Sequence, residues 1–228
     1  MGFYFLFSNF KGICFFCKLS VKIKKILILF LLAIPLFASP IDEIIEIVPI
    51  EDFENNVLTN EDFIIRGNHS KIPEIKISEN LTSPDLISEK SLLLRFPKGT
   101  TDLPIEIRFK SPIPINKFLM EIEFHIFSNS PGGELGIILE DTHFEVHILK
   151  VCNLTFSDWR KFTIGIPKKV HQENWVFGKD SNINIIGLIY TPGKQVSKNR
   201  EDIIVLDDIV GRLIPKLKFL ETDKIDSN

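Results

Sequence analysis

Residues Leu154–Gln172, LTFSDWRKFTIGIPKKVHQ, decide the fold class. Phe162, Ile164 and Ile166 alternate with Lys161, Thr163 and Gly165, the period of a strand with one buried and one wet face. Pro167 cannot donate to a ladder and ends the strand. Trp159 stands at the start with a large apolar surface and one N–H to satisfy, and is expected to be a core anchor. An aromatic approach, a Trp, an alternating strand and then Ile-Pro fit a β-sandwich strand that crosses from one sheet to the other.

The flanking chain repeats the pattern. Ile105, Ile107 and Phe109 share one face of a strand over residues 104–110, and Phe118, Met120, Ile122, Phe124 and Ile126 share one face of the next, across Glu121, Glu123 and His125. Ser91–Phe96, SLLLRF, is a near-continuous apolar run and reads as a core strand. Ser128–Gly133, SNSPGG, is the strongest turn in the chain. Leu135–Leu139 follows as a strand, and Phe144, Val146 and Ile148 are expected to face inward on the one after. Strands over 44–50, 63–66, 75–77, 182–190 and 202–209 complete the set. Roughly ten short strands and no helical periodicity beyond the N-terminal segment predict an all-β protein, an antiparallel β-sandwich of jelly-roll type like that of carbohydrate-binding modules. Residues 40–220 read as one such domain, and 221–228 as a polar tail.

The N-terminal segment differs in kind. Residues 1–20 are aromatic and aperiodic and read as a mis-called start. Val21–Lys25 then forms a basic region ahead of the apolar run Ile26–Phe37, with small residues at Ala38 and Ser39. Twelve residues at 1.5 Å each fall short of a bilayer of about 30 Å, so residues 1–39 read as a leader with a secretory signal. The competing reading is an aromatic extension that makes an uncleaved membrane anchor. The only charges in residues 1–39 are Lys11, Lys18, Lys22, Lys24 and Lys25, so the remainder carries 22 basic against 30 acidic residues, a formal −8. That balance argues against nucleic acid as a partner. Cys14 and Cys17 lie in the leader; Cys152 alone would remain, too few for an internal disulfide, and reads as a buried small hydrophobe.

The stretch Leu154–Gln172 also resembles the spirochaete flagellar filament outer-layer (sheath) proteins, the FlaA family. Members carry a Leu-x-Phe-x-x-Trp approach, a strand, Ile-Pro and a Gln five residues on; here these are Leu154, Phe156, Trp159, Ile166-Pro167 and Gln172. A second match is the Gly-led strand, proline loop and closing Asp-Asp strand of Gly187–Ile209. Asp158 stands where a Gly often precedes the Trp, and Ile203–Leu206 is aliphatic where the family's last strand is usually aromatic. The resemblance spans roughly residues 50–210. It implies a periplasmic protein that coats a flagellin core filament beside other coat proteins and tunes its stiffness or curvature, with no membrane contact after signal cleavage. A secreted carbohydrate-binding jelly-roll is the alternative, and a carboxylate-pair glycosidase a third.

Three constellations bear on chemistry. His143, Glu145 and His147 fall on one face of a strand by period two, a plausible zinc or copper set. Residues two apart on a straight strand stand about 6.6 Å from each other and converge poorly on an ion, so they read as a polar strand face. Asp52 and Glu54 near the first strand, and Asp207-Asp208 in the last, could meet and hold a structural calcium; lacking a ligand-dense loop, they read as solvent-facing carboxylates. Trp175 and Phe177, in a loop, are the candidate partner contacts. No GxSxG, HExxH, Walker or GxGxxG pattern occurs, so no catalytic, cofactor-binding or metal residues are assigned and the protein reads as a non-enzyme without a cofactor. The signal reading predicts a mature N-terminus between Ala38 and Ile41. N-terminal sequencing of exported protein tests it, and a recovered peptide from Gly2–Lys18 refutes it.

Overall fold

The computed structural model describes residues 45–54, 60–99, 103–173, 182–193 and 200–216. The leader, the segment holding Trp175 and Phe177, and the tail 221–228 lie outside the described residues. The described residues form eleven strands: β1 (Glu46–Glu51), β2 (Phe63–Arg66), β3 (Glu74–Ser78), β4 (Ser91–Phe96), β5 (Ile105–Ile115), β6 (Phe118–Ser128), β7 (Glu134–Glu140), β8 (Val146–Asn153), β9 (Trp159–Gly165), β10 (Ile183–Thr191) and β11 (Asp202–Ile214). Among the described residues the one other element is a single 3-10 turn at Asn60–Asp62. One sheet runs β3-β4-β11-β6-β9, with β1 also on β11; the other runs β2-β5-β10-β7-β8. Every pairing is antiparallel. The fold is an antiparallel β-sandwich of the jelly-roll kind.

Alternation places the core as the sequence predicts in β4 and β5. Leu92, Leu94 and Phe96, and Ile105, Ile107 and Phe109, are buried between the sheets with Ile204, Leu206, Ile185 and Leu188. Leu93 is buried as well, but on the opposite side of its sheet. It belongs to a row running across paired strands, Leu93, Val205, Phe127 and Trp159. Trp159 therefore lies on the outer face, half-buried, its ring centroid 5.8 Å from that of Phe127. It is not the expected core anchor; Phe156 and Leu154, just before it, are the buried members of that stretch. Phe162, Ile164 and Ile166 do share the inner side, yet are only partly buried, because β9 is a sheet edge.

Two further departures come from register. Ile122, Phe124 and Ile126 face the core, but Met120 is exposed and Leu119 is buried in its place. β11 pairs Arg212 with Glu121 and Leu213 with Leu119, skipping Met120, so a bulge reverses the facing at the start of β6. Gln172 secures that point. Its side-chain amide donates to the Leu119 carbonyl at 2.8 Å and its carbonyl accepts from the Leu119 N–H at 2.7 Å, which gives β6 a one-residue substitute for a neighbouring strand. On β8 the inward residues are Leu149 and Val151, whereas Phe144, Val146 and Ile148 are exposed. Pairing of Ile138 with Ile148 sets this register and turns the expected inward set outward.

The two sheets are also tied by a buried hydrogen bond. The Tyr190 hydroxyl on β10 donates to Asp202 Oδ2 on β11 at 2.7 Å, and the Tyr190 ring packs 4.3 Å from that of Phe96. Asp202 Oδ1 is buried with no partner. Burial pushes the Asp202 carboxyl above its ordinary 3.8, with Tyr190 offsetting part of the rise. Burial likewise pushes the Tyr190 hydroxyl up, and pushes the Cys152 thiol up to about 12, so that it stays protonated at neutral pH, inert as a small hydrophobe.

A folded-state acid with a raised pKa binds its proton more tightly than the unfolded chain does. Between the unfolded and folded values the native state holds the extra proton, so stability falls as pH rises through that window, and the full penalty stands above it. Asp202→Asn is expected to flatten this limb of a denaturation-versus-pH profile. Tyr190→Phe removes the donor that favours the carboxylate, so it should steepen the limb and cost about 1–3 kcal/mol at neutral pH.

Candidate functional site

The hairpin between β7 and β8 is organised by Asp141, a buried carboxylate. Its Oδ1 accepts from the N–H groups of His143 at 2.8 Å and Glu145 at 3.0 Å. Its Oδ2 accepts from the His171 N–H at 3.2 Å and contacts His147 Nε2 at 2.8 Å. Burial alone would raise this carboxyl, but His147 and the three backbone donors more than offset it and hold the group below the usual range. The turn closes through Asp141 N–H to the Glu145 carbonyl and Phe144 N–H to the Asp141 carbonyl, each 3.0 Å.

Residues 143 and 145 thus belong to a turn, and β8 begins only at Val146. His143, Glu145 and His147 do not form the straight polar strand face expected from their spacing. Asp141, Glu145 and His147 converge instead, with a candidate ligand atom from each within 4.8 Å of the others. His143 turns away and stacks on His171, ring centroids 4.3 Å apart. Phe144, the next residue in the turn, has φ 64° and is 78% exposed. A bulky residue in the left-handed region costs of order 1–3 kcal/mol and persists only where the surroundings fix it. Here the Asp141 bonds do so, and they hold an aromatic ring in water. Val146 at 47% and Ile148 at 52% continue this apolar surface along the outer face of the five-stranded sheet.

A groove opens beside the stacked imidazoles. Met120, Ile166 and Pro167 give it an apolar wall; Lys168, Gln172 and Glu173 give it polar groups. Trp175 and Phe177, the contacts expected from sequence, are outside the described residues, two and four positions beyond Glu173.

On the outer face of the six-stranded sheet the four carboxylates read from the sequence do come together; Asp207 is buried, while Asp52, Glu54 and Asp208 are half-buried. Asp207 is 0% exposed; its Oδ2 accepts from the Ser83 N–H at 2.6 Å, while Oδ1 is buried with no partner. Burial raises the Asp207 carboxyl. Burial also raises Asp208, and the charges of Asp207, Asp52 and Glu54 raise it further. Glu54 Oε1 gathers the turn at residues 88–90, accepting from Ser88 Oγ at 2.9 Å and from the N–H groups of Glu89 at 2.7 Å and Lys90 at 3.0 Å. Asp208 sits at φ 48°, at a bulge in β11 that puts two consecutive acids at this place. Asp-Phe-Glu and Asp-Asp were legible as pairs in the sequence; that β1 and β11 are neighbours is what joins them. His125, opposite Asp207 on β6, stands beside this cluster and offsets part of the rise of both Asp207 and Asp208.

No family model matches the chain, and no curated protein matches it. Among solved structures it is similar to an enzymatically active domain of a bacteriophage CBA120 tailspike protein, at 11% identity and TM-score 0.44 over 71% of this chain and 20% of that one. A carbohydrate-binding module of the β-sandwich superfamily matches at 13% and 0.43 over 69% and 59%. A family 11 carbohydrate-binding module from Clostridium thermocellum, in complex with a mixed-linked tetrasaccharide, matches at 14% and 0.44 over 75% and 98%. The chain spans a fifth of the tailspike chain and 59% of the second.

Raised carboxyls bind their protons more tightly in the folded state, so stability is expected to fall as pH rises through the window between the unfolded and folded values of Asp207 and Asp208. Asp208→Asn should shrink that fall in a denaturation-versus-pH profile, and an unchanged slope counts against the clustering of these acids.

Proposed function

We propose that this protein works by association and carries out no chemistry. We assign it as an exported coat protein of the periplasmic flagellar filament, laid on a flagellin core beside other coat proteins and setting filament stiffness or curvature. The observation that carries the reading is the surface of Phe144, Val146 and Ile148. A hairpin tip spends backbone strain to expose an aromatic ring, next to two exposed aliphatics on a rigid strand. Contiguous exposed apolar groups fixed in place fit a protein partner. Sugar platforms favour Trp and Tyr, which add a polar handle to the ring. Among the described residues Tyr190 is buried and Trp159 is half-buried against Phe127. The resemblance in Leu154–Gln172 supports the filament, and a polymer of identical sites lets weak contacts sum. The formal −8 beyond the leader adds a salt-sensitive component to those contacts.

One observation favours a second reading, a glycan-binding module: the groove with His143, His171, Gln172 and Lys168 combines flat rings with hydrogen-bonding groups, and Trp175 and Phe177 follow its rim in sequence.

Ile148→Lys and Phe144→Ser should leave the melting temperature nearly unchanged, since both side chains are exposed, and should lower the fraction of protein that sediments with isolated filaments. Added salt should lower the parent's fraction as well. Equal sedimentation by both variants removes the surface from the case. A hit on a glycan array that Trp175→Ala abolishes decides for the second reading.

A further inference from the structure

We propose that the β7–β8 hairpin carries a site for a divalent transition metal of the zinc class, with His147, Glu145 and Asp141 as ligands. The site is separate from the carboxylates around Asp207 and does not depend on the filament reading.

The donor set is one imidazole and two carboxylates, the kinds of ligand that zinc takes. Their candidate ligand atoms already lie within 4.8 Å of one another. Zinc bonds of about 2.0–2.2 Å at a tetrahedral angle hold neighbouring ligand atoms roughly 3.3–3.6 Å apart. The contact between His147 Nε2 and Asp141 Oδ2, 2.8 Å, needs to open by roughly half an ångström to admit the ion. To ligate through Nε2 the imidazole would be in its neutral form with the proton on Nδ1. Glu145 supplies the movement on the other side, since its side chain is exposed and free to rotate. Its carboxylate has no hydrogen-bond or ion-pair partner among the described residues. Two carboxylates thus stand close to one imidazole, and a divalent cation would neutralise both.

The surroundings are those of a metal site. Asp141 Oδ1 is held by the N–H groups of His143 and Glu145, which leaves Oδ2 directed at the imidazole. The backbone of His171, from the segment after β9, bonds to that same Oδ2. The acceptor is therefore oriented before an ion arrives, and such outer contacts strengthen binding. Three protein ligands leave a fourth position to water on the exposed side. The turn that displays Phe144 is built from two of the three ligands, so an ion here would clamp the tip.

The test uses the full-length protein, free of affinity tags, and Co²⁺ as a spectroscopic probe. The expected result is saturable binding of one Co²⁺ per chain, with visible bands of a four-coordinate ion, displaced by Zn²⁺. Glu145→Gln and His147→Ala should each weaken binding about tenfold or more, and His69→Ala, at a half-buried His after β2, should not change it. Zn²⁺ at roughly a hundredfold over its Kd should raise the parent's melting temperature by about 5–10 °C, and Glu145→Gln should lose the shift. Should His147→Ala fail to fold, the Glu145→Gln pair of measurements decides alone. No saturable binding up to about 1 mM overturns the proposal. So does binding that Glu145→Gln leaves intact, and so does binding that follows His143→Ala and His171→Ala instead, which would place the ion on the stacked pair.

Discussion

The ladder of β11 is the constraint on which the rest of the sandwich depends. Its residues Asp202–Leu206 pair with β4 on one side, Ile209–Leu213 pair with β1, and β6 runs along the other side for nearly the full length. A strand of thirteen residues with neighbours on both sides has almost no free backbone group, so its register fixes that of three others. The change of partner from β4 to β1 occurs at the bulge where Asp208 takes a positive φ. The same bulge buries Asp207 among acids. Topology and the charge cluster are thus one event, since the chain cannot hand over partners there without presenting two consecutive carboxylates to the outer face.

Hydrophobic period made most strands readable, and it failed where something outside the period intervened. β5 follows strict alternation, and Ile105, Ile107 and Phe109 are buried as read. β6 looks like a single phase from Phe118 to Ile126, but Met120 is bulged, and nothing in the residue itself marks a position that a partner strand will skip. Into β8 the run from Phe144 to Val151 is apolar in both phases, Phe144, Val146 and Ile148 or Leu149 and Val151. Only the pairing with β7 and the closed turn at 141–145 choose between them. Trp159 was misplaced for a related reason. A large ring beside an alternating strand reads as core, yet the outer face of this sheet has an apolar row of its own.

The site was legible in its parts and not in its geometry. His143, Glu145 and His147 stand out by spacing, and Asp141 does not, because its importance lies in accepting four hydrogen bonds at a turn. An Asp followed after one residue by a His and a Phe carries a weak Asx-turn signal at most. The carboxylate pairs Asp52, Glu54 and Asp207, Asp208 are far apart in sequence, and adjacency of the first and last strands is a property of the topology alone. Gln172 is the reverse case: its place in the motif was visible, and its reason, the two bonds to Leu119, was not.

The pairing of β1 with β11 also has a mechanical side. Glu46, where β1 begins, lies opposite Leu213, close to where β11 ends, so the chain enters and leaves the sandwich at one corner. Tension applied at these two points would peel the ladder open one hydrogen bond at a time, the weak direction for a sheet; it would not shear the whole ladder at once. A body joined in this way is a poor link in a chain under load.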